Sequence, residues 1–536
     1  MTTILLLSAL IILLCVLFNK LSSKIGVPML LAFILLGMVF GVDGVLRIRF
    51  DDFAFAEQVC SFALIFIMFY GGFGTKWSEA RPVAVKATLL STLGVFLTAG
   101  LVGLFCRFVL GIELLESLLI GAVISSTDAA SVFSIMRSKK LGLRDNTSSL
   151  LELESGSNDP SSYMLTLIVL SIMGGRASGG QVAYMVFAQF AYGIGIGAVI
   201  ALGAVQFFKR FHFGTAGFDM AFLIGVALLA YALPGLVGGN GYLSVYIVGI
   251  VLGNSRIPGK KSLVNFFDGV TGLMQMLIFF LLGLLATPSQ MPGVLAPALL
   301  IALFLTLLGR PLAVFALLAP CRCGWRQMLL ISFAGLRGAA SIVFAILATV
   351  DEAYLQNDVF HIVFCIVLFS ILFQGTFIPW VAKKLDMIDT ESDVLKTFTD
   401  YSDEIDLEFI KLSISADHPW QDKALRELAL PPDALIVLVL RGSESLVPNG
   451  STVLRAGDIA VLSAPSFHDE THAIRLLELP ITRSSPWIGK TIAEFSPHPD
   501  ELVMMILRGR HTVIPNGGTV IREKDVLVIN ERVKQA

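Results

Sequence analysis

Leu151-Glu-Leu-Glu-Ser-Gly-Ser-Asn-Asp-Pro-Ser-Ser162 is the stretch on which the reading of this chain turns. It lies between apolar runs long enough to sit in a bilayer, which places Glu154 and Asp159 at membrane depth and Glu152 nearer the edge. An ionisable side chain there costs at least about 2.5 to 3.5 kcal/mol on insertion scales, so it faces a partner or a water-filled cavity and marks a proton or ion path. The plainer reading is a polar loop between two short helices. Against it, the apolar character continues on both sides, through Leu150, Leu151 and Leu153 and then from Tyr163 to Met173, with no charged flank to anchor a loop.

Composition points the same way. With 55% hydrophobic and 15% charged residues over 536 positions, the chain is too apolar for a soluble protein, and its few charges concentrate after residue 385. No basic surplus argues for nucleic acid. The six cysteines fall mostly inside apolar runs, as small core residues do, and Cys321 with Cys323 is the only close pair. The first run, Ile4 to Phe18, has no basic leader or small-residue cleavage site and reads as a retained helix.

Apolar runs of about 17 to 25 residues predict roughly thirteen spans, centred near Leu10, Ile34, Ile65, Phe96, Ala122, Tyr163, Ile196, Val226, Val248, Leu277, Leu305, Ala339 and Val367. Loops on one side carry about eighteen Lys and Arg, among them Lys76, Arg81, Arg137, Lys139, Lys140, Arg144, Arg256 and Lys260; those on the other hold Arg47, Arg49, Arg107 and Arg176. The basic side is expected to be cytoplasmic, with the N-terminus outside and the C-terminus inside. An internal repeat recurs at an offset of about 211 residues: Gly37-Met-Val-Phe-Gly41 with Gly249-Ile-Val-Leu-Gly253, Phe66 to Gly72 with Ile278 to Gly283, and Ala129-Ala-Ser131 with Ala339-Ala-Ser341. Six spans per half joined by one span near Ile196 predict two inverted repeats, with the ion site at the midplane where matching helices are interrupted.

Two spans have polar and small residues at mid-depth. Ile124-Ser-Ser-Thr-Asp128 places Thr127 and Asp128 there, and Phe333-Ala-Gly-Leu-Arg-Gly338 places Arg337 between two glycines. Under the repeat, Thr127 and Arg337 match. Unwound backbone frees carbonyls for a cation, and half-helix ends point partial charges into the gap. A buried guanidinium needs a carboxylate, and Glu154 is the expected partner of Arg337. Glu154 and Asn158, four apart, share a helix face while Asp159 points off it, leaving Asp159 free to exchange a proton for a cation.

At Ser126-Thr-Asp128, Glu154-Ser-Gly-Ser-Asn-Asp159 and Gly335-Leu-Arg-Gly338 the sequence resembles the monovalent cation:proton antiporters of the NhaP and eukaryotic sodium/proton exchanger type, over about the first 385 residues. The resemblance implies that Asp159 binds ion and proton, that Asp128, the Thr127 carbonyl and Ser155 help ligate the ion, and that Glu154 and Arg337 form a structural pair. It also implies a homodimer in which a six-helix core slides against a dimerisation domain, with one proton exchanged per cation where Asn158 precedes the acid. One departure is Tyr70, in Phe69-Tyr-Gly-Gly72, where many relatives carry an acid.

After a linker expected at 386–406, residues 407–536 repeat at an offset of about 67, as about 407–472 and 473–536. Pro419-Trp420 recurs as Pro486-Trp487, Arg441-Gly442 as Arg508-Gly509, Pro448-Asn-Gly450 as Pro515-Asn-Gly517, and Arg455 with Asp458 as Arg522 with Asp525. Each unit reads as a small α+β module and resembles the TrkA-type C-terminal subdomain of regulators of potassium conductance, whose members dimerise and often bind small effectors. No Gly-x-Gly-x-x-Gly turn is present for a dinucleotide, and no cofactor is expected. Cyclic di-AMP, a ligand of similar subdomains, and pH are the candidate effectors.

The chain is therefore expected to be an all-α polytopic membrane domain (1–385) with a cytoplasmic α+β tail. It would exchange potassium for protons across a bacterial inner membrane and so serve cation and pH homeostasis. Sodium or lithium is the alternative substrate. A gated cation channel would need a selectivity filter, which the sequence lacks. An intramembrane aspartyl protease would leave Arg337 without a role.

Overall fold

The computed structural model describes the chain except for residues 1, 26–28, 129–131, 133–141, 212–215, 256, 258, 354, 390–406, 417, 429, 431–433, 443, 466–474, 483–484, 496–501, 509–510, 514 and 532–536. The Ala129-Ala-Ser131 side of the repeat, the basic residues Arg137, Lys139, Lys140 and Arg256, and most of the expected linker lie outside the described residues. Two units separate at Asp403/Glu404.

The first unit is helical. Among the described residues seven helices are long and apolar enough to cross a membrane: Phe53–Gly74, Trp77–Val109, Gly179–Arg210, Gly217–Gly235, Lys260–Leu285, Met291–Leu318 and Val359–Lys384. Met29–Phe40, Leu114–Val123, Gly241–Gly253 and Ala339–Val350 are apolar but shorter. Thr147–Met173, 27 residues long, carries the polar stretch in its middle.

The helices pack as two groups. In the first, Met29–Phe40 lies on Lys260–Leu285, and Phe53–Gly74 on Gly241–Gly253. Both crossings depend on glycine. A Cβ on Gly37 would stand 2.9 Å from the Gly283 Cα, and one on Gly72 would stand 2.4 Å from the Tyr246 carbonyl oxygen and 3.2 Å from the Gly249 Cα. Any side chain would drive the backbones apart.

The second group holds Trp77–Val109, Leu114–Val123, Thr147–Met173, Met291–Leu318, Val359–Lys384 and a helix opened between Trp325–Phe333 and Ala339–Val350. Three of its members contain a π turn, at Leu90–Gly94, Leu305–Gly309 and Ser370–Gln374. A π turn rotates the side chains beyond it and recurs at functional sites. Beyond the last helix the chain doubles back. Ile388–Asp389 pairs antiparallel with Gly142–Leu143, the Arg144 N–H donates to the Met387 carbonyl (2.9 Å), and Asp386 accepts from Arg144 (3.0 Å) and Arg326 (3.5 Å).

The second unit contains two four-stranded antiparallel sheets of one topology. Leu407–Ser413, Leu435–Arg441, Glu444–Leu446 and Ile459–Pro465 make the first; Arg475–Pro480, Leu502–Arg508, His511–Val513 and Asp525–Glu531 make the second. In each, the last strand in sequence lies between the first and the second. The repeated arginine and aspartate close each sheet identically. Arg441 grips Asp458 with two hydrogen bonds (2.8 and 2.7 Å) and the Val453 carbonyl with a third, and Arg508 does the same with Asp525 and Val520.

Candidate functional site

Leu114–Val123 ends and the chain is non-helical from Ser126 to Asp128; the Trp325–Phe333 helix ends likewise and the chain is non-helical from Gly335 to Gly338. The open segments cross, and the Asp128 N–H donates to the Leu336 carbonyl (2.8 Å). Helix ends leave carbonyls and N–H groups without partners, which inside a membrane must be met by protein. At the first break they are met from Thr147–Met173: Ser162 donates to the Ala122 carbonyl (2.6 Å), Ser155 to the Thr127 carbonyl, and the Asn158 amide to the Thr127 hydroxyl (2.6 Å). At the second they are met from the π turn of Val359–Lys384. The Arg337 N–H donates to Ser370 Oγ (2.9 Å), Ser370 to Gln374 (2.5 Å), and Gln374 to the Phe333 carbonyl (3.2 Å).

Thr127, Asp128, Ser155, Asn158 and Asp159 are thereby gathered around the first break. Asp159 is buried, and Asp128, Ser126 and Tyr246 are among the groups that interact with it. Its Oδ1, like the Asn158 Oδ1, is buried without a hydrogen-bond donor. A buried oxygen left so is open to a cation or a proton. Asp128 lies directly over Gly338, where a Cβ would fall 2.3 Å from its Oδ2, so only glycine leaves room for that carboxylate.

The expected pairing of Glu154 with Arg337 is corrected. Glu154 is ion-paired with Arg310, and both side chains are buried. Arg337 instead spans the crossing, donating to the carbonyls of Ser125 (2.8 Å) and Ser126 (2.5 Å). Arg310 follows directly on the π turn Leu305–Gly309, within the apolar span expected near Leu305. Its signal was available as one guanidinium inside the run Leu295 to Leu318. Tyr70, the departure from the family pattern, gives its hydroxyl to Asp268 (2.8 Å).

The profile of the Sodium/hydrogen exchanger, transmembrane family matches residues 7–384. The chain belongs to this family. In the tail, residues 410–466 and 476–530 each match the TrkA-C domain. Among exchanger relatives, the K(+)/H(+) antiporter NhaP of Alkalimonas amylolytica is 35% identical over 448 residues, covering 82% of this chain and 77% of the relative. The K(+)/H(+) antiporter NhaP2 of Shewanella oneidensis is 33% identical over 460 residues, 85% and 80% of the two chains. The Na(+)/H(+) antiporter ApNhaP of Aphanothece halophytica is 27% identical over 383 residues, 68% and 70%. The sodium proton antiporter MjNhaP1 of Methanocaldococcus jannaschii shares the fold, with a TM-score of 0.62 at 24% identity over 69% of this chain and 97% of its own. The exchanger family transports ions and is not a family of catalytic enzymes.

Proposed function

We propose that this protein is a potassium/proton antiporter that exchanges one monovalent cation for one proton at Asp159. The observation that carries the reading is the charge in the buried site. Three carboxyls, Glu154, Asp128 and Asp159, stand with two guanidinium groups, Arg310 and Arg337, which with all five ionised leaves one negative charge. Burying net charge is costly, and either one monovalent cation or one proton cancels it. The site is neutral when loaded with either and charged when empty, which favours movement only of the loaded forms. Glu154 is held by Arg310, so Asp159, with Asp128 beside it, is the group that alternates. The Thr127 carbonyl, the Ser155 hydroxyl and the Asn158 amide oxygen complete the ligand set, and an amide cannot take a second proton.

Potassium is favoured by the names of the relatives at 33 to 35% identity, by the TrkA-C pair and by the absence of an acid at Tyr70. Thirteen spans in two inverted repeats are supported by the glycine crossings, because Gly37 against Gly283 and Gly249 against Gly72 exchange under the repeat offset. The basic loops favour an outside N-terminus and a cytoplasmic tail in a bacterial inner membrane, and the family resemblance favours a homodimer. The tail requires a ligand that binds one transport state more tightly than the other if it is to regulate; cyclic di-AMP and pH are the candidates.

The test is dilution-driven exchange in proteoliposomes with potassium, sodium, lithium and rubidium in turn. Potassium should drive proton movement at the lowest concentration, and clamping the membrane potential should leave the rate unchanged. Sodium-driven exchange with no potassium response would overturn the substrate, and a clear voltage dependence would overturn the one-for-one stoichiometry.

A further inference from the structure

The chain passes from the first helix group to the second at two linkers, 75–76 and 286–290, and both are tied down by matching residues. At the first, Asn254 accepts from the Trp77 N–H (2.8 Å) and donates to the Thr75 carbonyl (2.8 Å). At the second, Asp43 accepts from the Ser289 N–H (2.7 Å). Asn254 and Asp43 are 211 residues apart, Trp77 and Ser289 are 212 apart, and the sequence repeat has the same offset. The clamp is thus built twice. The second linker has a further tie, for the Thr287 N–H donates to Nε2 of His361 (3.0 Å), whose Nδ1 lies 2.6 Å from Asp358.

That arrangement assigns the imidazole proton to Nδ1, donated to Asp358, with the Nε2 lone pair spent on the linker. A second proton on Nε2 removes the acceptor and sets two N–H donors against each other, so the tie to Thr287 cannot survive it. Charged groups on the elements packed against this helix have partners of their own: Asp52, before Phe53–Gly74, accepts from the Phe55 N–H (2.9 Å), and Glu352 stands with Asp351 by Arg176. Glu116, on the adjoining Leu114–Val123 helix, accepts from the Asn357 backbone and side chain (2.8 and 2.9 Å), and Asp351 is paired with Arg176 (2.6 Å). Met291–Phe304 presents no charged group, and Phe53 of the Phe53–Gly74 helix packs an aromatic ring on Phe360. The backbone N–H of Ser289 holds the Asp43 carboxyl below its ordinary range, so that clamp stays closed on mild acidification.

We infer that His361 is a positioning residue for the 286–290 linker, and that its protonation loosens this linker and makes exchange respond to pH at the outer face. The linker leads into the helix that carries Arg310, and freeing it removes one restraint on that helix. The inference rests on the proposed transport and orientation. The experiment is exchange by the full-length protein in oriented proteoliposomes, with the pH of each face stepped from 8 to 5 while the other is held. Protons are also the exchanged ion, so the readout is each variant against the wild type under the same gradient. His361→Gln, which offers an uncharged acceptor, should match the wild type at pH 8 and run roughly five-fold slower than it when the outer face is acid, the worth of one ordinary hydrogen bond; Asp43→Asn should track the wild type's pH response. Equal rates of His361→Gln and wild type at acid outer pH, or a response in Asp43→Asn reduced to that of His361→Gln, overturns the inference. A His361-dependent step evoked from the face of the basic loops supports the tie and overturns the orientation. Absence of exchange in the wild type would instead break the proposed function.

Discussion

The first break is held from Thr147–Met173, by Ser155 and Asn158 at Thr127 and by Ser162 at the Ala122 carbonyl, and the second from Val359–Lys384, by Ser370 at the Arg337 N–H and by Gln374 at the Phe333 carbonyl. The scaffolding is alike, but the charges are opposite. The first break presents Asp128 and the second Arg337, and at the position matching Asp128 the second break has Gly338, over which the Asp128 carboxylate lies. The repeat supplies two similar gaps; the differences at matched positions give one the carboxylate of the proposed cation site and the other a guanidinium. A break in a membrane helix is thus separable into a part that holds backbone open and a part that carries charge, and substitutions should sort accordingly.

The largest effect should come from the charge part alone. Asp159→Asn adds no volume and removes the proposed proton carrier, so exchange in proteoliposomes should vanish while size-exclusion behaviour and Tm stay near those of the parent. Retained cation-driven proton movement would sink the assignment. Glu154→Gln should fail differently. It strands the Arg310 guanidinium, and removing one member of a buried pair typically costs about 3 to 5 kcal/mol, so a clear fall in Tm in detergent is expected. A parental Tm would show that the pair carries no stability.

The backbone part should give a smaller loss. Gln374→Ala leaves the Phe333 carbonyl without its donor, at about 1 to 3 kcal/mol for a buried unsatisfied group, visible as a modest fall in Tm with the cation preference unchanged. A changed preference would mean that the two parts are not separable. The tail offers the smallest effect and a control, since its two sheets are copies in which nothing differs in charge at the arginine clasp. Backbone and arginine hydrogen bonds, against the opposing effect of burial, hold the Asp458 and Asp525 carboxyls below their ordinary range. Each carboxyl therefore adds stability that is fully present at neutral pH and is lost as pH falls through the lowered folded value. Hydrogen exchange of Leu435–Arg441 and Leu502–Arg508 should lose protection together on acidification; loss in one sheet alone would show the copies to be unequal.

Much of this was legible in the sequence because polar residues inside apolar runs are costly and so stand out. Thr127, Asp128, Glu154, Asp159 and Arg337 were found that way, and the tail duplication was plain because its matches carry no gaps. Arg310 was missed although the same reasoning applied to it. It follows a π turn that no residue pattern announces, inside the apolar run Leu295 to Leu318. The partner of Glu154 was then mistaken, because pairing depends on how helices rotate about their axes, and a π turn sets that rotation. The insertion of each sheet's last strand beside its first was likewise unreadable from strand patterns alone.

The short strand pair between Gly142–Leu143 and Ile388–Asp389 gives the membrane unit a defined load path. The described chain after the last helix is stapled at 386–389 to residues 142–144 and, through Asp386, to Arg326. A tug on it is therefore delivered to the roots of two helices at once, the one that carries Asp159 and the one that opens at Arg337. Cutting the chain after Asp389 would remove the rope and leave the cleat in place. Cutting it before Asp386 would take away both, and the two truncations are different experiments.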